Sequence, residues 1–233
     1  MVINQDSYGD VNHKLDFMIG NREHGQLVQV DRMPGQTLFA QKVGLSADVA
    51  WRFALEGRAY IASDGDQNDR VTGQTSFANT TPTFLLHNPS TSGVICIPAP
   101  FHLGQTGTVA GGDIGVDSEV RSPSAYASSG TSEGISNAAV GLVGAPTARC
   151  LLYTTATATA GYGRAVGHVT LAADVSPAEG VINVYEWPVP FGTFLWPNSS
   201  LSVFTYAGTT GPTWGWEFSW VEVPVAWLIP GEN

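Results

Sequence analysis

The sequence predicts an all-β domain, an antiparallel β-sandwich of jelly-roll-like type led by an N-terminal arm or short helix. Three observations carry this expectation. Short β-like runs succeed one another between turns, with no helical segments alternating among them. Gly, at 27 residues, and Pro, at 14, are plentiful enough to supply those turns. The last long run alternates strictly, with Trp214, Trp216, Phe218 and Trp220 on one face and Gly215, Glu217 and Ser219 on the other.

The first part of the chain, residues 1–46, differs from the remainder. Val11, Leu15, Met18 and Ile19 recur at helical spacing behind Asp10, a residue suited to an N-cap, and Gly20 ends the pattern. Gln26 to Val30 forms a possible short strand before a Pro34-Gly35 turn. The segment holds both lysines, Lys14 and Lys42, and is expected either to act as an arm on a neighbouring protein or to form a first strand pair.

Residues 47–233 form the expected sandwich. In its first stretch Val49, Trp51, Phe53 and Leu55 alternate with polar residues, which favours a strand, although Ser46 could also cap a short helix. Gly57 to Ala62 continues in β style. Thr83 to His87 and Gly93 to Ile97 flank Asn88-Pro89-Ser90-Thr91-Ser92, a hairpin-like connection. From Gly104 to Gly144 the chain is rich in Gly, Ser and Ala and shows little periodicity, so long surface loops are expected there, with a recognition tip as a possible use. Further strands are expected over Leu151 to Thr155, Ala165 to Leu171, Val181 to Tyr185 and Leu201 to Tyr206. The final strand is limited, or placed at an edge, by Pro224.

Composition narrows the functional classes. Charged residues make up 13% of the chain, about half the usual share, and the net charge is −10. No Lys or Arg comes after Arg164, whereas Asp174, Glu179, Glu186, Glu217, Glu222 and Glu232 do. A face built from that part repels phosphate, which argues against nucleic-acid or anionic-membrane partners. The opening residues lack the basic and apolar regions of a secretory signal, and no apolar run approaches membrane-helix length. Cys96 and Cys150 both sit in β-like runs and are expected to be buried free thiols, not a bridge.

The motifs that could carry chemistry each fail a requirement. Gly130-Thr131-Ser132-Glu133-Gly134 matches the nucleophile-elbow pattern, but the residues before it read as Ser/Ala loop, no Asp lies between Ser132 and the last histidine, His168, and no His follows Asp174. Asp64, Asp66 and Asn68 have the alternating oxygens of a calcium loop. Asp69 stands where the EF-hand needs Gly, and Thr75 where it needs Glu, so a polar turn is favoured over a looser Ca²⁺ site. His13, His24, His87, His102 and His168 show no ligand spacing. Glu217 and Glu222 are the candidates for a glycosidase carboxylate pair, which is defined by its separation in space. No enzyme, cofactor or metal is therefore expected. Six of the seven tryptophans lie from Trp187 onward. Strict alternation favours core and subunit interface for Trp214, Trp216, Phe218 and Trp220 over a carbohydrate platform.

Two segments carry a resemblance. Thr83 to Ile95 reads as an apolar strand, an Asn-Pro-x-x-Ser-Gly turn and a second apolar strand, and Phe218 to Val225 closes the chain as Phe-Ser-Trp-Val-Glu-Val-Pro-Val. With the turn before Leu201, these resemble the virion structural proteins of tailed bacteriophages, over about Gly57 to Val225. The resemblance implies a jelly-roll-like protein on the particle exterior, of the head decoration, cement or spike type. It also implies the major capsid protein and copies of itself, often as a homotrimer, as partners, residence in the virion, and no catalytic residues. The weight of tryptophan in the last strand departs from the pattern and leaves a receptor- or glycan-binding module of a tail or spike as the alternative.

Overall fold

The computed structural model describes residues 15–17, 28–30, 53–64, 70–106, 113–172, 184–187, 193–208 and 210–227. The chain divides into two units, Met1–Val49 and Ala50–Asn233. In the first, β1 (Leu15–Phe17) pairs antiparallel with β2 (Val28–Val30), Leu15 opposite Val30. This corrects the helix expected through Leu15. The Val28-Gln29-Val30 run, with its two β-branched valines, offers a ladder partner, and that pairing overrides a weak helical spacing. Asp10, Val11, Met18, Ile19 and the Pro34-Gly35 turn lie outside the described residues.

The second unit opens with a correction too. Residues 53–55 are helical, not extended. Gly57 has φ +69°, its N–H bonds to the Ala54 carbonyl at 2.9 Å, and the Arg58 N–H bonds to the Phe53 carbonyl at 2.8 Å. This is a Schellman closure, which needs a left-handed residue that only glycine adopts cheaply. The apolar alternation is therefore a poorer guide here than the glycine behind it.

The strands then run, in chain order, β3 (Ala59–Ser63), β4 (Val71–Thr72), β5 (Phe84–Asn88), β6 (Val94–Pro98) and β7 (Phe101–Gln105). Next come β8 (Asp113–Arg121), β9 (Tyr126–Ser128), β10 (Thr131–Ser132), β11 (Ser136–Asn137), β12 (Leu151–Thr154) and β13 (Thr157–Ala158). The last four are β14 (Arg164–Ala172), β15 (Val184–Trp187), β16 (Ser199–Ala207) and β17 (Thr213–Pro224). The protein is thus all-β, with antiparallel sheets forming a sandwich.

A six-stranded sheet has the order β10-β12-β5-β16-β8-β14, and a seven-stranded sheet has β11-β3-β17-β7-β15, with β4 and β6 also on β17. The pairings nest. The last long strand, β17, lies between β3 and the β6–β7 pair, while β16, the one before it, lies between β5 and β8. Chain between β8 and β14 adds β11 to one sheet edge and β10–β12 to the other, and forms the small β9–β13 ladder.

The core fills the space between the two large sheets. Phe84 of the six-stranded sheet meets Trp216 and Phe218 of the other, with ring centroids 5.6 and 5.1 Å apart, and Phe101 stacks on Phe218 at 4.7 Å. Each such ring, removed from water, contributes about 1.5–3 kcal/mol. A second, smaller cluster of Leu85, Ala125, Ala156 and Ala158 covers part of the outer face of the six-stranded sheet. Pro224 is the final residue of β17, opposite Val94, where the strand ends without needing its missing N–H.

β8 corrects the expectation of loops from Gly104 to Gly144. It is a central strand, bonded to β14 on one side and β16 on the other. Ile114 and Val116 point into the core with Ser118, and Val120 packs against them. This period of two is obscured in the sequence by the polar Asp117, Ser118 and Glu119. Gly115 belongs in the strand because a Cβ there would overlap the Tyr206 ring at Cζ.

Candidate functional site

The four aromatic residues expected at an interface are placed inside the chain itself. Trp214, Trp216, Phe218 and Trp220 all point between the sheets and are at most 3% exposed. Their alternation is the signature of a strand with one buried face, and of the core and interface expected for them the chain's own core is where these side chains lie. The same burial removes them as a carbohydrate platform. Among the described residues the exposed aromatic side chains lie elsewhere, at Phe77, Tyr162, Phe194 and Trp196. Phe194 and Trp196 flank the buried Leu195 and leave 52% and 46% of their surfaces in solvent. Trp227 is half-buried beneath the Arg58 guanidinium, 4.5 Å from the ring centroid.

Ser132 sits in the two-residue strand β10 at a sheet edge, opposite Tyr153. Its neighbour Glu133 accepts a hydrogen bond from Thr154 Oγ1. An exposed edge strand lacks the sharp strand-to-helix turn that a nucleophile elbow needs. Residues 65–69 of the candidate calcium loop lie outside the described residues, and no group of three or more metal-ligating side chains occurs among the described ones. His13 and His24 are likewise outside them.

Glu217 and Glu222 project from opposite faces of β17. Glu217 points outward, 3.7 Å from His102 Nδ1. Glu222 is buried, and its carboxylate accepts from the Arg149 N–H at 2.9 Å, the Cys150 N–H at 2.8 Å and Trp220 Nε1 at 3.1 Å. With a sheet between them, the two carboxylates cannot flank one glycosidic bond. Cys96 and Cys150 are free and wholly buried, and a hydrogen bond to Cys96, with burial, pushes the Cys150 thiol far up. Burial, then the Glu222 charge, pushes the Tyr60 phenol up to about 12, and its hydroxyl donates to the Pro146 carbonyl at 3.1 Å.

Two clusters assemble on the outer face of the six-stranded sheet. In one, His87 Nδ1 lies 2.8 Å from Ser124 Oγ, and the ring stacks on Tyr126, which stacks on Tyr153. Burial lowers the His87 pKa. No hydrogen bond or ion pair joins His87 to a carboxylate among the described residues, so this pair lacks the third group that orients a catalytic base. In the other, Asp117 receives His168 Nδ1 on Oδ1 and the Tyr206 hydroxyl on Oδ2, the latter at 3.0 Å.

Among the described residues, the two most exposed large apolar side chains stand close together in sequence. Residues 138–147 carry no charge, and Val140 and Val143 are 96% and 97% exposed, with Leu142 also exposed. The loop is anchored at its base. Asn137 Nδ2 donates to the Gly57 carbonyl at 2.6 Å, Asn137 Oδ1 accepts from the Ala139 N–H at 2.8 Å, and Tyr60 holds Pro146. At the tip, Gly141 and Gly144 take φ +80° and +76°. Lack of periodicity marks this stretch only as connecting loop. The sharper signal is the uncharged Ala-Ala-Val-Gly-Leu-Val-Gly-Ala-Pro run within an acidic chain.

No protein-family model matches the chain, and no curated protein or solved structure is significantly similar to it.

Proposed function

We propose that this protein is a virion structural protein of a tailed bacteriophage, a decoration or cement protein that binds the outside of the head. The observation that carries the reading is the anchored, uncharged 138–147 loop with Val140 and Val143 almost wholly in solvent. A lone domain gains nothing from presenting such side chains on a tethered base, whereas a docking surface does. Phe194 and Trp196 add a second exposed aromatic surface of the kind that anchors protein interfaces.

The nested strand order supports a jelly roll, the architecture the sequence resemblance implies. In each large sheet a late strand lies between two early ones, β17 in one and β16 in the other. The low share of charged side chains and the acidic second half suit contact with protein more than with nucleic acid. In this reading the sandwich packs on the major capsid protein and on copies of itself as a homotrimer, and residues 1–46 serve as the arm. Electron cryomicroscopy of the particle tests it. Density for the sandwich outside the shell supports the proposal, and density in the tail alone or none at all rejects it.

A further inference from the structure

The Asp117 cluster has the parts of a sugar site, independent of any docking role. Gly115 has no side chain, and the Tyr206 ring lies over it, so close that a Cβ would overlap Cζ. That ring forms a floor. Phe77 stands against it edge to face, with centroids 5.5 Å apart at 69°, and is 42% exposed, which makes a wall. At the far end of the Tyr206 ring, its hydroxyl and His168 Nδ1 fix the Asp117 carboxylate, one donor on each oxygen.

A carboxylate accepts about four hydrogen bonds, so each Asp117 oxygen keeps capacity for one more. Two such oxygens, held in place by two protein donors, match two neighbouring hydroxyls of a pyranose. The His168 side chain is largely in solvent, which leaves its second ring nitrogen available to a ligand. Ring carbons flanked by aromatic surface supply the apolar half of sugar recognition, and orienting polar groups supply the other half. The negative charge of Asp117, in a chain of net charge −10, disfavours acidic sugars.

We infer that the outer face of the six-stranded sheet binds a neutral pyranose, with Tyr206 and Phe77 against the ring and Asp117 and His168 on its hydroxyls. The test probes the full chain on an array of neutral glucose-, galactose-, mannose- and N-acetylglucosamine-based oligosaccharides beside sialylated ones, followed by calorimetric titration of the best probe. Saturable binding to a neutral glycan is expected, weakened at least tenfold by Asp117→Asn and by Phe77→Ser, and unchanged by Glu217→Gln on the other sheet. Thermal melting checks that each variant is folded; if Asp117→Asn is not, Phe77→Ser carries the comparison, since its ring is partly in solvent. Absence of neutral-glycan binding, binding that survives the folded variants, or binding confined to sialylated probes would overturn the inference.

Discussion

Glu222, on the central strand of the seven-stranded sheet, accepts a 2.8 Å hydrogen bond from the backbone N–H of Cys150, which leads into the six-stranded sheet. One buried side chain thereby ties the two layers together. It also satisfies the Arg149 N–H and Trp220 Nε1, donors that otherwise stay orphaned out of water. Glu222→Gln keeps the shape but sets an amide N–H₂ against those donors. The expected loss is about 2–3 kcal/mol, the scale of hydrogen bonds to a charged group, read as a lower urea midpoint with an unchanged slope. A loss below about 0.5 kcal/mol, the range of ordinary surface changes, would show that the tie is not energetic.

Gly115 and Tyr206 are matched in the same sense. Gly115→Ala forces the added methyl into the Tyr206 ring and is expected to cost about 1–3 kcal/mol. In a Tyr206→Ala background the same change is expected to be neutral or stabilising by up to about 1 kcal/mol, because Ala restricts the unfolded chain more than Gly. The double-mutant cycle reads the difference as coupling, and additive effects would contradict the contact.

His87 carries a pH dependence. Burial lowers its pKa in the fold, so the unfolded chain binds the proton more tightly. Its contribution to stability is present above the ordinary histidine value of about 6.5 and is lost as pH falls from there through the lowered folded value. His87→Gln removes the titration while keeping a polar partner for Ser124. Between pH 7.5 and pH 5 the wild type is expected to lose more stability than the variant in denaturant titrations. Parallel losses would remove His87 from the account.

Tyr60 works in the opposite direction. Its phenol is pushed up to about 12, so the fold favours the neutral form, and the contribution is complete below the ordinary value of about 10. It is lost as pH rises through about 12. Tyr60→Phe is expected to cost about 1 kcal/mol at neutral pH through the lost bond to Pro146 and to flatten the alkaline decline.

Much of the fold is legible in the sequence because period two survives wherever one face is buried. Trp214 to Trp220 announces its strand in this way, and Thr83 to Ile97 announces two strands as continuous apolar runs on either side of a turn. β8 is hidden because Asp117 and Glu119 hold the outer face and Gly115 yields to Tyr206, a residue 91 positions away. The same distance hides the candidate sites. Asp117, His168 and Tyr206 meet only through strand pairing, and Glu222 meets Cys150 only through sheet packing. Alternating tryptophans state that a face is buried but not what covers it, and here the covering is the second sheet of the same chain.

The exposed loop separates docking from folding. Val140 and Val143 touch so little that replacing both with Asp is expected to change stability by less than about 0.5 kcal/mol. The central claim rests on what those side chains do in an assembly. The most direct measurement is co-sedimentation of the purified protein with phage heads that lack it, comparing wild type with Val140→Asp/Val143→Asp. Saturable binding by the wild type and its loss in the equally stable variant is the predicted result. Equal binding by both proteins, or none by either, would contradict the account.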